Sequence, residues 1–208
     1  MRIAPEGWPF IAAFWILEFG FVFCGFTTAA IAWLPVAVWV VAFFRDPVRV
    51  GPRDDSLVIA PADGLVVSVR SIDEPDFHGA EVQRVSIFMN VFNVHVNRYP
   101  VNGTITYRKY TPGAFVNAAA EKASLENEQS SVGIVAPRGK VLVRQIAGLV
   151  ARRIITDHGE GTAVRQGERM GLIRFGSRVD VFLPKGVTIR VAEGERTVAG
   201  VSIIAEWT

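Results

Sequence analysis

Lys140-Val141-Leu142-Val143-Arg144-Gln145-Ile146 opens directly after Gly139 and has the two-residue period and β-branched content of a strand. Runs of the same kind occupy residues 65–69, 85–89 and 103–107, each close to a glycine or another turn residue. From Leu57 onward the pattern therefore predicts an antiparallel, mainly β domain. Residues 118–128 are the one stretch outside the N-terminus with helical composition, ended by Asn127 and the serines around Ser130.

Glycine-bounded strands continue through residues 152–207, and the stretches 161–167 and 191–194 each end a strand in a similar turn. This weak internal repeat resembles the barrel-sandwich domains that carry biotin or lipoate. Those carriers present a lysine in a hairpin, whereas the comparable turn here is Gly176-Ser177-Arg178, and Lys185 lacks flanking methionines.

The first 44 residues differ in character. Hydrophobic residues make up 50% of the 208-residue chain, a figure raised by residues 10–44, in which Glu18 is the only charge. That run is too long for the apolar core of a secretory signal. It suits two short membrane helices with a turn near residues 25–28. Arg2 flanks it on one side and Arg45, Arg49 and Arg53 on the other, which places both ends in the cytoplasm. The alternative is a helical pair buried in a soluble core. Asp46-Pro47 and Gly51-Pro52 make a stiff linker to the domain from residue 45 onward.

Beyond residue 44 the chain keeps 21 basic and 18 acidic residues, a net charge of +3. The arginines are spread through strand-like segments rather than gathered in a stripe, which argues against a nucleic-acid partner and for an anionic membrane surface. Cys24 is the only cysteine, so an intrachain disulfide and cysteine-based metal or redox motifs are excluded, and no metal site is expected.

Three residues carry candidate chemistry: Asp63 in Pro61-Ala62-Asp63-Gly64, His95 in Asn93-Val94-His95-Val96-Asn97-Arg98, and Ser177 in Phe175-Gly176-Ser177-Arg178. Each has a structural reading too, because Asp-Gly is a turn dipeptide, strand-end histidines are often structural, and Gly-Ser is common in loops. His78 and His158 lie in loop-like stretches and are expected to be solvated rather than catalytic. A serine hydrolase would show G-x-S-x-G, which is absent around Ser177. A non-enzymatic membrane-tethered module is the other alternative. Gly176 leaves the carbonyl before Ser177 open to attack by the serine hydroxyl, the geometry that self-cleavage needs.

The segment Gly171-Leu172-Ile173-Arg174-Phe175-Gly176-Ser177-Arg178-Val179-Asp180-Val181-Phe182-Leu183-Pro184 resembles the processing site of short bacterial and archaeal phosphatidylserine decarboxylases. The resemblance extends to Phe44-Arg45-Asp46-Pro47, to the Asp63 and His95 motifs and to residues 124–129. It implies a cytoplasmic-membrane proenzyme cut between Gly176 and Ser177 into a β chain of residues 1–176 and an α chain of residues 177–208, paired as a heterodimer that can assemble further. Ser177 then becomes a pyruvoyl group that condenses with the amine of phosphatidylserine. The resemblance gives Asp63 a part in self-cleavage and His95 a part in decarboxylation. Larger relatives carry a second histidine where this chain has Arg98, so either His95 does both jobs or Asp63 and strain activate the serine. Arg98, Arg174 and Arg178 are candidates for the lipid phosphate.

Overall fold

The computed structural model describes residues 2–113, 127–148, 153–174 and 177–208. Its chain divides into two compact units, Met1–Val48 and Arg49–Thr208.

In the first unit, β1 (Arg2–Ile3) pairs with β2 (Arg45–Asp46) across a hairpin of two helices, α1 (Trp8–Phe23) and α2 (Thr27–Phe43). Gly25, at φ 75°, takes the left-handed conformation that the turn requires. The Trp33 indole N–H donates to the Phe14 carbonyl at 3.1 Å while the two rings stack, which fixes the helix pair. Large apolar side chains such as Ile16, Phe19, Phe23 and Ile31 face outward. The stretch Pro5–Phe23 is long and apolar enough to cross a membrane, and α2 is slightly shorter. Glu18 is buried beside Thr27, Ala30 and Leu34, turned toward the partner helix.

The second unit is built from β3 (Leu57–Ile59), β4 (Gly64–Glu74), β5 (Ala80–Met89), β6 (Val96–Arg98), β7 (Gly103–Thr111), β8 (Gln129–Ala136), β9 (Gly139–Ala147), β10 (Ile154–Thr156), β11 (Ala163–Val164), β12 (Arg169–Ile173), β13 (Ser177–Pro184), β14 (Val187–Ile189), β15 (Arg196–Thr197) and β16 (Ile203–Trp207). The expected mainly β, antiparallel architecture is present. Eight strands form a curled half-barrel in the order β11-β7-β8-β9-β13-β5-β4-β15, and the three-stranded sheets β10-β12-β6 and β14-β16-β3 complete the unit. Of the expected helix at 118–128, residues 118–126 lie outside the described residues, and Asn127 forms a β-bridge.

Alternation along each strand sends one set of side chains inward. Val85 and Ile87 of β5, Val141 and Val143 of β9, and Val179, Val181 and Leu183 of β13 form the core with Val58, Tyr99 and Ile204. Each such aliphatic contributes about 1.5–3 kcal/mol through burial. Phe182 points the other way, into a smaller cluster with Val82 and Leu142.

The ladders repeat about an internal two-fold relation that the sequence only hinted at. Leu65 and Val66 oppose Phe88 and Ile87, and a bulge then precedes Ser68; Thr104 and Ile105 oppose Val135 and Ile134 with a bulge before Tyr107. β15 edges β4 as β11 edges β7. β16 bulges against β3 as β12 does against β6, opposing Ala205 to Val58 and Gly171 to Asn97. Loop hydrogen bonds follow suit: Arg98 N–H donates to the Pro61 carbonyl, and Ile59 N–H donates to that of Pro100. Under this relation Asp63 corresponds to Asn102, Asn97 to Val58, Gln145 to Leu183 and Thr156 to Ile189.

Candidate active site

Ser177 is the first residue of β13 and lies between Met89 of β5 and Ala147 of β9. Its side chain shares the inward face with Val179 and Val181 and is fully buried. The hydroxyl has no hydrogen-bond partner among the described residues. Leaving a buried polar group unsatisfied costs about 1–3 kcal/mol, so a merely structural position has little reason to keep a serine.

His95 directly precedes β6 and is also fully buried. Its Nδ1 lies 3.1 Å from the Asn93 carbonyl oxygen. A carbonyl can only accept, so in the neutral ring this contact assigns the proton to Nδ1 and makes Nε2 the basic nitrogen. Ile173 N–H donates to the His95 carbonyl, tying the histidine to the end of β12, four residues before Ser177.

Asn97, two residues beyond His95 and on the same face of β6, reaches the neighbour of Ser177: its Nδ2 lies 3.6 Å from Met89 Sδ. The fold thus brings Ser177, His95 and Asn97 toward one end of the curled sheet.

Asp63 sits two strands away, since Gly64 approaches Phe88 on β5 and β5 adjoins β13. Two strand spacings make roughly 10 Å between backbones. A Cβ on Gly64 would collide with the Phe88 carbonyl, so this glycine permits the approach that brings Asp63 alongside β5. Asp63 Oδ1 accepts from Ala199 N–H and Oδ2 from the Arg49 guanidinium, both at 2.7 Å. In the matching turn, Asn102 Oδ1 accepts from Gln166 N–H at 2.8 Å. An uncharged residue therefore suffices for the turn, and the carboxylate at 63 is surplus to it.

The Asp63 turn faces a cavity of about 320 Å³ whose walls include Phe88, Asn90, Asn93 and Arg196. Asn93 also holds the His95 ring, so this wall is continuous with the histidine. Arg49 and Arg196 carry the charge around the cavity and its carboxylate, and sequence reading singled out neither for this site. Arg49 pairs across a linker with a residue 14 positions away, and Arg196 arrives on the edge strand β15, so neither carries a local motif.

The three arginines expected at the lipid phosphate are held by different parts of the domain. Arg178 faces away from Ser177 and forms a buried two-point pair with Asp180, at 2.8 and 2.9 Å. Arg98 donates to the Gly167 carbonyl and packs over Gly200 beside Arg49. Arg174 is half-buried, and its amide donates to the Arg153 carbonyl. Contrary to expectation, the His78 side chain is only 4% exposed, although the residue as a whole is half-buried: Glu74 accepts from its backbone N–H and lies 3.4 Å from Nδ1, closing the turn after β4. His158 is half-buried against the Tyr99 hydroxyl, at 3.1 Å. Burial raises the Tyr99 pKa, keeping that phenol neutral.

An internally repeated β half-barrel in which one half supplies a carboxylate and a buried serine and the other an imidazole, each at a position where its counterpart is neutral, suits an enzyme domain rather than a carrier module. The family model for phosphatidylserine decarboxylase matches residues 36–205. The chain belongs to that family of enzymes, whose activity is the decarboxylation of phosphatidylserine.

Proposed function

We propose that the chain is a membrane-anchored proenzyme that makes its own pyruvoyl group from Ser177 and then decarboxylates phosphatidylserine to phosphatidylethanolamine. The observation that carries this reading is the buried Ser177 hydroxyl at the start of β13, without a hydrogen-bond partner among the described residues. Ser177 Oγ adds to the Gly176 carbonyl; the new C–O bond replaces the C–N bond, and the hydroxyl proton passes to the departing amine. Loss of the Ser177 α-proton with rupture of Cβ–Oγ frees the Gly176 carboxylate and leaves dehydroalanine. Water then releases ammonia, leaving a pyruvoyl cap on residues 177–208.

Such a group supplies the electron sink for loss of CO2. Core residues around Ser177 exclude water from the departing carboxylate. His95, with Nε2 as its titrating nitrogen, returns a proton to the α-carbon. Asp63, held by Arg49, assists the cut. Arg196 is the arginine best placed for the lipid phosphate, ahead of Arg98, Arg174 and Arg178, because it lines the cavity beside Asp63. The apolar hairpin tethers the domain to the cytoplasmic membrane, confining enzyme and lipid to one surface and raising their effective concentration. After the cut, β13 pairs with both β5 and β9, which supports a tight complex of the two chains.

Intact mass spectrometry in detergent, with and without a carbonyl-trapping amine, tests this. The expected result is two chains divided before Ser177, the smaller one trapped, and a single inert chain for Ser177→Ala. A Ser177→Ala protein that still decarboxylates phosphatidylserine would overturn it.

A further inference from the structure

Beside Ser177 runs a chain of polar side chains that the mechanism above leaves without a task. Ser130 Oγ lies 2.9 Å from Thr156 Oγ1, Thr156 donates to Gln145 Oε1 at 2.9 Å, and Gln145 Nε2 donates to Asn97 Oδ1 at 2.8 Å. Asn97 and Gln145 are fully buried. The direction of the chain is fixed. Thr156 has one proton and gives it to Gln145, so Ser130 must donate to Thr156. Gln145 spends its acceptor on Thr156 and offers N–H to Asn97, which commits the Asn97 oxygen and turns its Nδ2 toward Met89, the cross-strand partner of Ser177. There it meets a thioether at 3.6 Å, a weak acceptor for one of two N–H bonds.

The internal two-fold relation provides a control within the same molecule. The residues corresponding to Asn97, Gln145 and Thr156 are Val58, Leu183 and Ile189, all packed in or against the hydrophobic core. The fold therefore builds these positions from hydrocarbon when nothing else is asked of them. Burying two carboxamides instead is costly unless every group is paired, and among the described residues the outermost donor is paired only to sulfur.

We propose that Asn97 Nδ2 donates to the oxyanion formed when Ser177 Oγ adds to the preceding carbonyl, with Gln145, Thr156 and Ser130 as positioning residues that hold the carboxamide in that orientation. The attacked carbon becomes bonded to Ser177 Oγ, so its oxygen develops charge next to that atom, and Ser177 is the cross-strand partner of the Met89 that Asn97 Nδ2 approaches. The assignment rests on the self-cleaving reading of Ser177.

The test is the rate at which freshly made full-length protein splits, followed by intact mass, with Tm measured alongside. Asn97→Val combined with Gln145→Leu and Thr156→Ile copies the apolar half, so it should fold with a Tm at or above wild type. It should split at least about 100-fold more slowly, the usual loss for an oxyanion donor. Asn97→Asp, of the same size, should slow splitting as well. Hydroxylamine, which cuts an ester at Ser177, should not restore splitting, because the block precedes the ester. Wild-type splitting rates in a folded Asn97 variant, or rapid hydroxylamine cutting, would overturn the assignment alone. A wild-type chain that never splits would overturn both this assignment and the reading of Ser177.

Discussion

Replacing Asp63 by asparagine separates the charge of that residue from its place in the turn, and Asn102 shows in advance that the turn tolerates the change. Asparagine keeps the oxygen that accepts from Ala199 N–H and loses the pairing of Oδ2 with Arg49. The two side chains are 14% and 15% exposed, between a surface pair, worth under about 1 kcal/mol, and a buried pair, whose rupture costs about 3–5 kcal/mol. A loss of about 1–2 kcal/mol is expected, lowering Tm by roughly 2–8 °C in a domain of this size. If the carboxylate assists self-cleavage as base or electrostatic partner, splitting should slow by about 10²–10⁴-fold. Differential scanning fluorimetry and a time course of chain splitting, run on the same preparation, read the two effects separately. A variant with the expected drop in Tm that splits and decarboxylates within twofold of wild type would show that Asp63 and Arg49 form only a structural ion pair.

His95→Ala should still yield two chains but release no CO2 from phosphatidylserine vesicles, whereas an uncut His95→Ala protein would assign the histidine to self-cleavage as well. Glu74 tests stability rather than chemistry. Burial pushes its pKa up, but hydrogen bonds from the His78 and Phe77 amides outweigh this and hold it below the ordinary carboxylate range. Its stabilisation should therefore be complete above the usual pKa of about 4.3 and fade as pH falls through the lowered value. Glu74→Ala should cost about 1–3 kcal/mol at neutral pH and flatten that acid dependence, measured as Tm between pH 7 and pH 3.

The strands were legible because period-two runs such as 65–69 and 140–146 reflect a one-sided core, and the apolar hairpin because nothing but Glu18 interrupts it. Ser177, His95 and Asp63 could be named from their motifs. Their common setting could not, because the two-fold relation preserves backbone pattern rather than side chains: of the matching turns, Pro61-Ala62-Asp63-Gly64 and Pro100-Val101-Asn102-Gly103 share only proline, glycine and a short polar residue. The Arg178–Asp180 pair was readable in principle, since residues two apart on a strand share a face. The Arg49–Asp63 pair and the burial of the His78 side chain depend on chain reversals that no local pattern announces.

Under the two-fold relation, the tight turn joining β8 to β9 corresponds to the gap between the end of β5 at Met89 and the start of β13 at Ser177. In the chain, that gap is filled by β6 to β12, so one half of the domain is inserted into the other where a simple hairpin turn would have stood. Ser177 lies at the seam where the inserted half hands the chain back. Opening the backbone there would leave every ladder intact, with β13 clasped between β5 and β9, and would turn an interior junction into a chain terminus. The topology thus behaves like a natural circular permutation site, at which a protein can acquire a chemically new N-terminus in its core without unfolding to expose it.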